Sequence, residues 1–153
     1  MSSKGGVNAE IEQTAVRILE DWALMLVEPI DKEEQVFAAD EPYLVTQVKF
    51  KGPFDGTYSF VCQRGFARAL TGNLIGDEAD FSESNHEDAL RELANVLSGN
   101  LLTNTFGEDL VFGLTSPEYS ERTELELGPL LNGAKFVYRG DDEPIAIMFK
   151  LNV

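Results

Sequence analysis

The run Asp88 to Gly99, DALRELANVLSG, reads as a helix with two unlike faces. Taking Glu92 as zero and about 100° per residue, Asn95 falls at about −60°, Asp88 at about −40° and Gly99 at about −20°. Leu90, Leu97 and Leu101 fall at about 140° to 180°, on the far side. One face is therefore core, and the other carries a carboxylate, a carboxamide and a position with no side chain. Glu92 and Asn95 stand three apart and are surface neighbours. Asn is a poor helix-interior residue because its side chain competes for backbone hydrogen bonds. Gly at such a position costs roughly 0.5–1 kcal/mol relative to Ala. Both on one stripe mark a surface that something approaches closely. The plainer reading is a solvated helix face with ordinary polar residues.

Outward from this helix the chain divides into short elements. On its N-terminal side the acidic connector DEADFSESNHED, Asp77 to Asp88, holds a capping box of Ser84 and Glu87, with carboxylates suited to the positive end of the helix dipole. The DEAD run, Asp77 to Asp80, is assigned no cation site. The helix is expected to run to Asn104 or Phe106, with Gly107 as its stop. Beyond it, Asp109–Thr115, Arg122–Leu127, Ala134–Tyr138 and Pro144–Leu151 read as strands, with a turn at Gly140–Pro144. Upstream, Val7–Val27 has Ile11, Ile18, Trp22 and Leu26 at helical spacing, and Pro29 is expected to end that helix. Tyr43–Phe50, the turn KGPFDG and Thr57–Cys62 form a hairpin, followed by a helix over Arg64–Ile75 stopped by Gly76. Helix plus hairpin thus occurs twice, at about 7–76 and 84–153, as a weak internal repeat. The expected fold is one α+β domain over 1–153, two-layered, with a long central helix bearing the unusual face.

Composition narrows the function. The chain has 153 residues and a formal net charge of −15. One domain of this size can bury a core unaided. Such a charge repels phosphate backbones and anionic headgroups, so nucleic acid and membrane are poor partners. No apolar run approaches the roughly 20 residues needed to span a bilayer, and the N-terminus lacks signal-peptide features. Cys62 and His86 are each the single residue of their type. That argues against an intramolecular disulfide, a Cys/His zinc site and a Cys–His nucleophile, and favours a cytoplasmic protein. Cys62 and Trp22 read as core residues.

The spacing around the helix resembles the signature of the CheC/CheX/FliY phosphatases of bacterial chemotaxis: Asp or Ser, then Glu four on, Asn three on, and Pro after 21 more residues. Asp88, Glu92, Asn95 and Pro117 meet it in full, and Asn95 with Gly99 meets the associated Asn-x3-Gly. At roughly 5–10% usage per type, five fixed positions coincide about once in 10⁶ starting points. Two-site members of the family carry the motif in both halves. In the first half here, Asn8, Glu12, Ala15 and Leu19 occupy the equivalent spacing. Ala15 replaces the amide and Leu19 the small residue, so one competent site remains and the chain is most similar to the CheX branch. Glu12 is then a leftover surface charge.

The resemblance implies a CheC-like fold, a phosphorylated CheY-like response regulator as substrate, and hydrolysis of its aspartyl phosphate. It implies that Asn95 orients the attacking water and that Glu92 pairs with the regulator's Lys. Asp88 and Gly99 would be partner contacts, and Pro117 would shape the loop facing the helix. No cofactor or metal of its own is implied, since the regulator supplies Mg²⁺. A homodimer extending a β-sheet is implied too, with an edge from the strand-rich C-terminal half, although Pro144 and Lys150 could guard such an edge. The other reading is a non-catalytic module that binds a regulator or acts as a scaffold. A small-molecule enzyme fits worst, because no Gly-rich phosphate loop, metal cluster or catalytic triad is present.

Overall fold

Residues 4–30, 37–76, 83–123, 127 and 136–152 are described by the structure, a computed structural model. Helix α1, Lys4–Asp21, stops well before Pro29. The chain turns at Leu24, which takes a left-handed φ of 58°, while the N–H groups of Trp22, Ala23 and Met25 still bond back to Ile18 and Leu19. Strand β1, Val27–Pro29, follows. The sequence expectation of a helix to Val27 is therefore corrected: Leu26 leaves the apolar stripe and is 76% exposed, and Pro29 sits on an edge strand, where a missing N–H is tolerated.

The hairpin forms as its alternation dictates, with β2 at Tyr43–Lys51 and β3 at Asp55–Cys62 in a register running from Leu44↔Cys62 to Phe50↔Gly56. Helix α2, Arg64–Ile75, and helix α3, Glu83–Phe106, end at Gly76 and Gly107, with φ of 99° and 93°. These are left-handed positions that glycine occupies without strain. The expected capping box rests on Ser84, whose side chain lies outside the described residues, as does the Asp77–Asp80 run. The remaining strands are β4, Gly113–Leu114, β5, Glu118–Arg122, β6, Phe136–Gly140, and β7, Glu143–Asn152. Asp141 and Asp142 both have positive φ, as the two central residues of a type I′ hairpin turn require. One strand expectation is corrected: only Gly113–Leu114 of Asp109–Thr115 is strand. Of the strand expected at Arg122–Leu127, Arg122 closes β5, Glu118–Arg122, and residues 124–126 fall outside the described residues. Ala134 falls outside the described residues.

All pairings are antiparallel, in the order β1-β6-β7-β3-β2, with β4 and β5 end to end along the outer edge of β2. Exchanging β1, β2 and β3 with β5, β6 and β7 reproduces this order read backwards. The last strand is held by β6 over Glu143–Ile147 and by β3 over Ala146–Asn152, so among the described residues Pro144 and Lys150 are each paired on one side. Among the described residues the open edges are β1 and the β4–β5 line.

The three helices cover one sheet face. Ile11, Ala15 and Leu19 of α1, Phe66 and Leu70 of α2, and Leu90, Leu93, Leu97 and Leu101 of α3 meet Leu44, Val48, Tyr58, Phe60, Ile145 and Ile147 in one core. The alternate residues Tyr43, Val45, Val61 and Ala146 form a smaller cluster on the other face with Leu127. Both Cys62 and Trp22 belong to the main core as expected, Trp22 at its margin. Burial, then Glu143, raises the Cys62 thiol well above its ordinary range, which leaves it an inert core residue.

Tyr58 is fully buried, and its hydroxyl has no hydrogen-bond partner among the described residues. Burial, reinforced by Cys62, holds the phenol neutral. A buried hydroxyl without a partner costs about 1–3 kcal/mol. Tyr58→Phe is therefore expected to raise stability by about 1 kcal/mol and Tm by about 2–4 °C. Thermal unfolding of the two proteins checks this, and an unchanged or lower Tm would show that the hydroxyl is satisfied in solution.

Candidate functional site

The leucines of α3 decide which way its other face points. Leu90, Leu93, Leu97 and Leu101 are buried against the sheet, at about 1.5–3 kcal/mol of burial each. That anchors the rotation of the helix and turns Asp88, Glu92 and Asn95 outward, all exposed. Gly99 lies on the same ridge, half-buried, and a Cβ placed on it would meet nothing within 4 Å. The space beside it is open. Glu92 and Asn95 are about 4.5 Å apart along the axis. Among the described residues, neither the Glu92 carboxylate nor the Asn95 carboxamide has a hydrogen-bond partner; the Asn95 backbone carbonyl accepts from Ser98 Oγ at 3.3 Å. Both groups are thus held in place by a rigid helix and left available to a visitor.

Pro117 stands apart from this ridge. It is buried where the chain enters β5, and its carbonyl accepts a hydrogen bond from Arg91 Nη1. Arg91 Nε in turn lies 3.3 Å from Glu87 Oε2. Arg91 falls at about −100°, beside Asn95 on the flank of the ridge, so this bond ties the loop before β5 to the motif helix. Sequence reasoning had not singled out Arg91; the Glu87–Arg91 spacing of four was its only signal. The structure thus brings Asp88, Glu92, Asn95 and Gly99 onto one ridge and places Pro117 at its base.

The first-half equivalent is closed. Ala15 and Leu19 are both fully buried in the core, so that stripe of α1 is turned inward. Glu12 is exposed, as a leftover surface charge would be. Burial first, then the charge of Glu12, raises the Tyr138 phenol well above its ordinary range. Among the described residues no group of three His, Cys, Asp or Glu side chains could hold a metal ion. No described helix is long and apolar enough to cross a membrane.

This geometry suits docking of another macromolecule rather than enclosure of a small substrate. A carboxamide can both donate to and accept from a water molecule, and a carboxylate can pair with a cation that docking shields from solvent.

Comparison with known proteins agrees with the fold. A family profile described as Chemotaxis phosphatase CheX matches residues 44–139. A search of curated proteins finds no match. Among solved structures, a chemotaxis protein CheX from Desulfovibrio desulfuricans superposes with a TM-score of 0.68 at 15% identity, covering 95% of this chain and 99% of that one. A CheC-like superfamily protein from Shewanella sp. PV-4 gives a TM-score of 0.69 at 11% identity, with 96% and 97% covered. A CheX–CheY–BeF₃–Mg²⁺ complex from Borrelia burgdorferi gives a TM-score of 0.66 at 14% identity, with 96% and 98% covered.

Proposed function

The chain belongs to the chemotaxis phosphatase CheX family, and from that premise we propose that it is a protein phosphatase acting on a phosphorylated CheY-type response regulator in the cytoplasm. The observation that carries this reading is the open ridge, where Asn95 and Glu92 project without partners among the described residues, beside the unfilled space at Gly99. The regulator's aspartyl phosphate reacts with water, the P–O bond to the aspartyl oxygen breaks, and aspartate and inorganic phosphate leave. Mg²⁺ belongs to the regulator; the Borrelia burgdorferi complex, which contains CheY, BeF₃ and Mg²⁺, supports that assignment for this chain.

The roles follow from the chemistry of phosphoryl transfer, where positioning and electrostatics do most of the catalysis. Asn95 orients the water in line with the phosphorus, Glu92 pairs with the regulator's Lys, Asp88 is a contact at the end of the ridge, and Gly99 admits the partner's backbone. Pro117, held by Arg91, shapes the loop at the ridge's base. The single domain with an internal repeat is supported by the strand order that survives exchange of the halves. A homodimer joined at an open edge, β1 or the β4–β5 line, completes the reading, with sedimentation velocity as its check.

Glu92→Ala removes the ion pair that sets the register. Truncating one partner of a shielded charge pair costs about 2–5 kcal/mol in binding. The variant is expected to bind the phosphorylated regulator at least tenfold more weakly and to release phosphate more slowly at saturation as well. Titration of regulator into wild type and variant, with phosphate release followed in Mg²⁺, reads both. Binding of the regulator by wild type without faster phosphate release would select the non-catalytic module instead.

A further inference from the structure

The chain end of the motif helix carries an aromatic shelf that the proposed chemistry does not use. Phe106, in the last turn of α3, falls at about −40° on the same wheel, on the azimuth of Asp88 and between Asn95 and Gly99. Its ring lies 5.1 Å from that of Phe54, in the β2–β3 turn, and 5.7 Å from that of Phe112. Around these rings Leu110, Val111 and Leu114 are exposed, Val111 by 81%. Gly52 lets this segment seat, since a Cβ there would come within 2.7 Å of the Val111 carbonyl oxygen. The shelf is thus built into the fold.

The area of the ridge alone is too small for a stable complex. Asp88 to Gly99 is about 16 Å of helix about 10 Å wide, roughly 160 Å², against about 800 Å² per partner in a standard interface. Docking must recruit neighbouring surface, and the shelf continues the same stripe about 16 Å beyond Asn95. Core anchors of interfaces are apolar and aromatic, with charge at the rim. Exposed Glu108 and Asp109 supply that rim beside the shelf.

We propose that the Phe54–Phe106–Phe112 shelf, with Val111 at its crest, is a second contact for the same phosphorylated regulator, which would meet it with an apolar patch flanked by basic residues. This rests on the regulator-docking reading of the ridge. A second copy of the chain is the competing occupant, because Leu114 of the shelf belongs to β4, on one of the two edges a homodimer could use; the association state decides between them.

The test uses the full chain and a purified CheY-type regulator loaded with beryllofluoride and Mg²⁺, with Kd read by calorimetry and association state by sedimentation. Val111→Glu changes an exposed side chain, so the fold is kept. Leu26→Glu is the control, an equally exposed apolar residue beside the β1 edge. The expected result is a Kd raised at least tenfold by Val111→Glu and unchanged by Leu26→Glu, with kcat for phosphate release within twofold of wild type at saturating regulator. An unchanged Kd for Val111→Glu, or a weakened Kd accompanied by dissociation of a dimer, overturns the shelf as a regulator contact. Failure of wild type to bind at all removes the docking reading itself, while binding without phosphate release removes only the phosphatase reading and leaves the shelf decided by the Kd values.

Discussion

Asn95→Ala is expected to lower phosphate release from the phosphorylated regulator by about 10²-fold at saturation, a rise in barrier of about 2.7 kcal/mol, while leaving regulator binding nearly intact. The fold should not suffer. Asn95 is exposed, its carboxamide has no hydrogen-bond partner among the described residues, and Ala is the better helix former by up to about 0.7 kcal/mol. What is lost is a group that fixes a water by donating one hydrogen bond and accepting another. Holding a nucleophile in line converts a rare arrangement into a frequent one, and orientation of this kind can supply several kcal/mol. A carboxamide does this without titrating, so activity should be flat with pH wherever the regulator itself is stable. Asn95→Asp is expected to be no better than Ala, because it brings a negative charge toward a phosphoryl group. The measurement is single-turnover phosphate release with wild type and variant in excess over phosphorylated regulator, beside the Kd for the beryllofluoride form. Equal turnover by wild type and Asn95→Ala would remove Asn95 from the chemistry, whereas parallel loss of binding would make it a contact.

Why some of this was legible in the sequence and some was not follows from particular residues. The motif face was legible because helix rotation is set by apolar side chains every three or four residues, and Leu90, Leu97 and Leu101 do become the buried side. Gly76 and Gly107 were legible as stops because each takes a left-handed conformation that other residues avoid. Leu24 takes that conformation too, without being glycine, and there the sequence misleads. A helix that ends at Asp21 followed by an exposed Leu26 has the composition of a longer amphipathic helix. Strand β5, Glu-Tyr-Ser-Glu-Arg, was invisible because among the described residues it pairs only with β2, as an edge strand. Its place is set by tertiary pairing rather than by propensity.

Gly99→Leu is expected to separate stability from function in opposite directions. In the free protein a Cβ at Gly99 meets nothing within 4 Å, so the new side chain has room. Replacing a mid-helix glycine with leucine should then stabilise α3 by somewhat less than the roughly 0.8–1.0 kcal/mol that separates Gly from Ala, raising Tm by about 2–3 °C. Docking should suffer heavily, because the isobutyl group would occupy the recess beside Glu92 and Asn95 that the partner's backbone is proposed to enter. Expected is a fall of at least 10²-fold in kcat/KM for phosphate release, with Gly99→Ala intermediate at about tenfold; these are steric losses of about 2.7 and 1.4 kcal/mol. The first half of the chain shows the same exchange of residue type at the equivalent position, where Leu19 is fully buried and its stripe of α1 faces the core. A bulky apolar side chain there serves packing, whereas at position 99 it would stand in the way of a visitor. The paired measurements are thermal unfolding and regulator titration on the same preparations. A Leu variant that is more stable and equally active would show that no partner comes near this part of the ridge, and the productive complex would then have to be built on Glu92, Asn95 and their flank alone.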